Sequence, residues 1–564
     1  MILRKIFIIL ILITNLIFSF SCRTRNDEFV TIALSEKFSS LDTLTSTASD
    51  AAADRIRNLL FNSLVRKNEK FEYVGELARE IRTSDDGKII TFVLQDNVKF
   101  HNGKDFTATD VKYTFDELFK SNSYKANAFF ETVDASKIPQ SNSNSNSTET
   151  NTSDVSNQKN LQNNSIGNNT NGKSSGTSNQ IKVPHIVSIE VIDPKTVNFN
   201  LSRSSLKNQL LSNLVTIPII SEGSVSQQGS QPSGSGPFKF VNFDQSQNIV
   251  EMEANPNYWE GAPTVQKIRV KTVTDANSLQ AELQSGGVDV APLANNLPPD
   301  TLKSLGQNPN LKVEQFKGSN IDYLGFNTQS PPLDKVKIRQ AIGYGIDRVK
   351  IINELLFGQA IIAHSVLPEE SWAYNPGTKY EYNPEKARQL LQEAGYKNEP
   401  VKFKFSAGNA AVNQYAQVIQ NSLKDVGLNV AIETLEPNTL RSQLATGQFQ
   451  MNTGRWIGGN QDPIFLRDLF ASNKIPGEKG GCCNRSRYNN PEIDQIVEEA
   501  INATDREEAK AHYFRAQEIV SNDLPMLPLW YPANMVVANK RIGNIKIGAS
   551  GDWSFVKDIT LENR

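Results

Sequence analysis

A chain of 564 residues is long enough for several domains, and 38% hydrophobic residues supply ample material for their cores. A net charge of −2, from 59 basic and 61 acidic residues with no Lys/Arg run, speaks against a nucleic-acid partner. Three cysteines cannot build a disulfide scaffold, and the scattered histidines (His101, His185, His364 and His512) include no pair at metal-ligand spacing, so neither a metal nor a cofactor is expected.

Arg4 and Lys5 open the chain, an apolar run "IFIILILITNLIF" occupies residues 6–18, and "SFSC" ends at Cys22. Basic head, apolar run and small residues predict a secretory signal, too short for a membrane span of about 20 residues. The stretch resembles a bacterial lipoprotein lipobox, with Ser19 and Ser21 at the small positions and Phe18 in place of the usual Leu. That resemblance implies a mature chain lipidated at Cys22 and anchored to a membrane by its acyl chains.

Alternation predicts a strand over residues 88–95, and "TATDVKYTFDELFK" (107–120) predicts a helix with Thr107 or Thr109 as N-cap. Residues 140–180 follow, dominated by Ser, Asn and Thr, without aromatics. Such a segment buries too little apolar surface to offset its ordering entropy, and it reads as a disordered insert within a folded domain. Within it, "GNNTNGKSSG" (167–176) contains both G-x-x-x-x-G-K-[ST] and G-x-S-x-G. A phosphate loop or a nucleophile elbow needs a preceding strand and a following helix, and this tract predicts neither, so nucleotide hydrolase and esterase readings fail. Further on, Asn383 as cap, Pro384 at the first turn and Gly395 as stop bound a helix at 383–396. A second is predicted at 413–427, ending at Gly427 before the strand "LNVAIETLE", and two more at 491–503 and 506–523. The adjacent Cys482 and Cys483 allow a vicinal disulfide, free thiols or pairing between molecules.

The stretch "SDDGKIITFVLQDNVKFHNGKDFTATDVKYTFDEL" (84–118) resembles the signature of the family 5 extracytoplasmic solute-binding proteins, the oligopeptide-, dipeptide- and nickel-binding subunits of ABC importers. "GELA" (75–78), "SGSGPFKF" (233–240), "NPNYWEGAP" (255–263), "LQSGGVDVAPL" (283–293), "YLGFN" (323–327), "IRQAIGYGIDRVKIINELLFGQA" (338–360) and "NDLPMLPLWY" (522–531) follow in the family's order. The resemblance implies an α/β fold: a two-lobed periplasmic-binding-protein clamp of three domains that closes about a hinge on its ligand, without covalent chemistry. It places a first domain at 22–72, 191–275 and 526–564, a second at 73–190 around the insert, and a third at 276–525. The family region itself covers about 70–490. It also implies a monomer that delivers cargo to a membrane permease served by separate ATPase subunits.

Peptide-binding relatives carry a Trp, a short loop, and an Asp four residues before a Pro; that Asp pairs with the peptide α-ammonium. The matching stretch here is "RWIGGNQDPIFLRDLF" (455–470), in which Trp456 and Pro463 align and Gly459 stands where the Asp is expected. Asp462 is a substitute anchor if the loop shifts, or else a turn residue before Pro463. Asn460 and Gln461 suit a neutral or amide-rich ligand, and Arg455 suits a carboxylate. With Tyr323 and Asn327 of "YLGFN", these are the expected ligand contacts.

Overall fold

The computed structural model describes residues 28–47, 50–134, 180–294, 296–458, 461–477, 481–503 and 505–562. The proposed signal and Cys22, nearly all of the Ser/Asn/Thr-rich insert with its two loop-like patterns, and Gly459 and Asn460 lie outside them.

Three sheets organise the chain. The β-branched strand Val30–Leu34 sits in the middle of a seven-stranded mixed sheet, parallel to Lys267–Thr272 on one side and Val290–Ala291 on the other. Phe238–Asp244 and Ile249–Ala254 extend that sheet at one edge, Asn534–Asn539 and Leu311–Phe316 at the other. A four-stranded antiparallel sheet holds Ala78–Thr83, Ile89–Leu94, Thr196–Leu201 and Ile186–Asp193. The helix Ala108–Lys120 covers it, and Phe115 and Phe92 meet Phe199 edge-on at centroid distances of 5.0 and 5.2 Å. One continuous apolar core joins these two sheets into a single lobe. The second lobe is built on a six-stranded sheet ordered Ala360–Ile362, Met526–Pro532, Ile321–Phe326, Met451–Trp456, Val401–Ser406 and Val430–Leu435. The two largest cores of this lobe contain Phe403 and Trp530 in one and Phe470 and Tyr513 in the other.

The sheet memberships move the expected domain boundaries. Residues 276–316 stay in the first lobe, because Val290–Ala291 pairs with Val30–Leu34 and Leu311–Phe316 pairs with Asn534–Asn539. The second lobe therefore starts at Ile321 rather than 276. It ends at Pro532, since Met526–Pro532 still pairs with Ile321–Phe326. Residues 191–201 belong to the four-stranded sheet, not yet to a return to the first domain.

The lobes are joined by two neighbouring crossovers, 317–320 and Ala533. They run so close that a Cβ on Gly318 would lie 2.0 Å from the Pro532 carbonyl oxygen, a contact only glycine avoids. Ala533 N–H donates to the Gln359 carbonyl (3.0 Å), fixing one crossover to the second lobe.

Candidate functional site

The Ile321–Phe326 and Met451–Trp456 strands are antiparallel, with Asp322 opposite Arg455 and Tyr323 opposite Gly454. Alternation along a strand sends these pairs to opposite faces of the sheet. On one face, Arg455 Nε and Nη2 donate to the two Asp322 carboxylate oxygens at 2.6 and 2.9 Å, and Trp530 Nε1 donates to the same carboxylate at 2.8 Å. A bidentate pair of this kind is among the stronger protein hydrogen bonds. Burial opposes charge on Arg455, but the Asp322 carboxylate outweighs it and holds the guanidinium above its ordinary pKa. Behind the pair, Tyr415 OH meets Thr453 Oγ1 at 3.1 Å, and Thr453 Oγ1 donates to the Tyr323 carbonyl.

This face opens on a cavity of about 490 Å³ lined by both lobes. The first lobe contributes Thr274–Ala276, Asn296–Pro299 and Met535; the crossover Ala533 and the adjoining Pro532 close one side. The second lobe contributes Asp322, Arg455, Trp530, Tyr415 and the start of the helix Ala410–Asp425. The volume lies within the usual 300–1,000 Å³ range of small-molecule sites.

On the opposite face Tyr323 is 3% exposed and stacks on Trp456 (centroids 6.2 Å, planes 19° apart). Its ring fits against Gly454, where a Cβ would come within 2.9 Å of the Tyr323 hydroxyl oxygen. Phe465 packs edge-on to Trp456 at 5.3 Å, and the Arg485 guanidinium lies 5.0 Å from the Trp456 ring. Asn327 is also buried away from the cavity; its amide donates to the Gly447 and Phe449 carbonyls at 3.0 Å each. Of the expected ligand contacts in these strands, Arg455 therefore lines the cavity, while Tyr323, Trp456 and Asn327 support the strands behind it.

Gln461 and Asp462 bridge the lobes. Gln461 accepts from Lys67 Nζ (3.3 Å) and donates to Ser319 Oγ (3.0 Å). Asp462 Oδ1 accepts the Ile464 N–H at 3.0 Å, an Asx-type turn before the short helix Phe465–Phe470, and Oδ2 accepts the Tyr73 hydroxyl from the first lobe. Both carboxylate oxygens are thus engaged. Burial and then the Asp462 charge raise the Tyr73 phenol well above its usual pKa, so the hydroxyl keeps its proton. Burial lowers the Lys67 pKa, against the opposing pull of Asp462. Arg506 adds a third link, to Glu72 at 2.9 Å.

Cys482 and Cys483 form a vicinal disulfide, S–S 2.06 Å. Among the described residues no group of three or more His, Cys, Asp or Glu is placed to hold a metal ion, and no helix is long and apolar enough to cross a membrane.

Asp322, Trp530, Tyr415, Lys67 and Tyr73 are absent from the sequence expectations. Asp322 carries the one visible signal: a lone acid inside the apolar run "IDYLGF", which burial obliges to find a partner. The others become site residues only through the pairing of distant strands.

Two lobes joined by two crossovers, with a cavity between them and polar links across the cleft, define a ligand-binding clamp. The profile of the bacterial extracellular solute-binding proteins, family 5 (middle), matches residues 72–477, and the chain belongs to that family. It is 29% identical over 510 residues to heme-binding protein A of Haemophilus influenzae, covering 86% of this chain and 83% of that one. It is 27% identical over 520 residues to an oligopeptide-binding protein of Bacillus subtilis, covering 88% and 86%. Among solved structures, an ABC-transporter substrate-binding protein of Listeria monocytogenes superposes with a TM-score of 0.76 at 21% identity, covering 95% of this chain and 99% of that one.

Proposed function

We propose that this protein is the lipid-anchored substrate-binding subunit of an ABC importer, taking peptides or peptide-like solutes between its lobes and presenting them to a membrane permease. The observation that carries the reading is the cavity of about 490 Å³ walled by both lobes, with Arg455 facing into it, while Gln461 and Asp462 link the two lobes. A ligand there is touched by both lobes at once, so its binding energy favours the closed clamp, the form that signals a loaded subunit to a permease. The oligopeptide-binding relative supports a peptide cargo. Arg455, with Gly459 and Asn460 a few positions on in the sequence, are the proposed contacts. The monomeric state, the anchor at Cys22 and the extracytoplasmic location on it belong to the same proposal.

A second reading keeps the clamp and exchanges the cargo for a non-peptide or metal-chelate ligand. It is favoured by Gly459, which removes the usual ammonium partner, and by likeness to a heme-binding relative. Mass spectrometry of small molecules released from the purified, denatured protein separates the two. Recovery of peptides supports the first; recovery of a tetrapyrrole or metal chelate and no peptide overturns it.

A further inference from the structure

We propose that the clamp holds its cargo by a carboxylate, through Arg455, rather than by the α-ammonium. The inference rests on the cargo reading above and names the chemical group that the cavity recognises.

Three observations converge on it. Arg455 is the only cation among the described residues that line the cavity. Its guanidinium is fixed from behind: Nε and Nη2 are spent on Asp322, which Trp530 also binds, while no hydrogen bond joins Nη1 to another of the described residues. The two partners differ in exposure. The Asp322 side chain is 6% exposed and lies beneath the guanidinium, whereas the Arg455 side chain is 37% exposed and faces the cavity. Both side chains line the cavity, and a ligand there meets far more of the cation than of the acid that orients it. A guanidinium whose plane is already set loses little freedom on taking a carboxylate oxygen, which is the preorganisation a selective anchor needs.

Each of the two acids of the cavity already holds a protein partner. Asp322 is consumed by Arg455 and Trp530. Asp275 stands at the start of the helix Ala276–Ser285, where Oδ1 accepts from Ser278 N–H and Oγ, both at 2.8 Å. The helix Ala410–Asp425, capped by Asn409, also begins at the cavity, and the partial charge of its N-terminus has the same sign as Arg455.

The test uses the purified full chain and a library of N-acetylated di- to tetrapeptides, prepared once as C-terminal acids and once as carboxamides. Capture is read by mass spectrometry, and the retained sequences are then measured as matched acid and amide pairs by calorimetry. The acid forms are expected to bind about tenfold or more tighter, the size of a charge-assisted hydrogen bond. Arg455→Gln alone strands Asp322 without its partner, so the comparison variant is Asp322→Asn with Arg455→Gln, in which the acid-to-amide ratio falls to about one. Equal affinity of acids and amides for the native protein overturns the Arg455 anchor while leaving a peptide cargo in place, as does a ratio that survives in the double variant. If neither acetylated form binds but free-amine peptides of the same sequences do, the Arg455 anchor alone is overturned; if the free-amine peptides fail as well, the cargo reading falls and this inference with it.

Discussion

Gly459 separates this chain from the peptide-binding pattern it otherwise follows. Relatives that hold an α-ammonium place Asp there; glycine supplies neither charge nor side-chain acceptor. Asp462, the alternative anchor, already has a partner on each oxygen: one closes its own turn and the other takes the Tyr73 hydroxyl. Gly459→Asp is therefore expected to raise affinity for free-amine peptides over their N-acetylated forms by tenfold or more, the yield of a charge-assisted bond of roughly 1.5–3 kcal/mol. Calorimetry on matched peptides measures it, and a native protein that already prefers the free amine by that factor would mean that another acid does the work. Cys22 makes a second prediction at this scale. Cys22→Ser should release the protein from membranes with its thermal transition unchanged; a variant that still resists a carbonate wash places the anchor elsewhere.

At the scale of elements, local signals were legible and tertiary ones were not. Asn383 caps its helix through the Lys386 N–H at 3.0 Å, and Gly395 takes φ +63°, as the sequence pattern requires. Thr107 starts the next-to-first long helix with Asp110 Oδ2 accepting its N–H at 2.9 Å. The helix expected at 413 begins instead at Ala410, because Asn409 rather than Asn413 makes the cap. His101 was read as an isolated histidine, yet it clamps the "SGSGP" loop. Its Nδ1 accepts the Gly234 N–H at 3.3 Å, so the proton sits on Nε2, which lies 3.0 Å from the Gly236 carbonyl. Burial pushes its pKa down to about 4, partly opposed by the Gly236 carbonyl. A depressed histidine contributes stability that is complete above the free-imidazole value near 6.5 and is lost as pH falls toward 4. The loss is at most about 3 kcal/mol, and His101→Gln should flatten the fall in melting temperature over that window. Identical pH profiles for both proteins would show that the clamp does not titrate. The long insert allows a complementary experiment. Phe130–Asp134 and Gln180–Pro184 form an antiparallel ladder that ends at Asp134 opposite Gln180, so the insert leaves and re-enters at one point. Replacing residues 135–179 by an Asn-Gly turn should leave the melting temperature unchanged or slightly raised, since each halving of a loop returns only about 0.6 kcal/mol. A fall of many degrees would show that the tract packs on the domain.

At the scale of the whole molecule, the lobe boundaries escaped the sequence because the contacts that set them are remote. The Thr31 N–H donates to Asp289 across 258 positions, and no local pattern announces that strands near 290 and 311 return to the first lobe. The same remoteness hides the polar links between the lobes, three of which, among the described residues, tie residues 67–73 of the first lobe to the second. Tyr73 binds Asp462, Lys67 binds Gln461, and Glu72 binds Arg506. The Glu72–Arg506 pair is substantially exposed, so it contributes little. The Tyr73–Asp462 bond is different: a buried phenol donates to a carboxylate, and its loss leaves that carboxylate oxygen with one partner fewer in a partly buried cleft. Because the bond joins the two lobes, a clamp that opens breaks it, and removing it is expected to act on the open–closed equilibrium rather than on the folding of either lobe. Tyr73→Phe is therefore expected to weaken cargo binding about tenfold or more, by favouring the open clamp. Small-angle scattering should show a larger radius of gyration for the variant at equal cargo occupancy, while its melting temperature without cargo stays near that of the native protein. A variant that binds and scatters like the native protein would mean that the cavity contacts alone close the clamp.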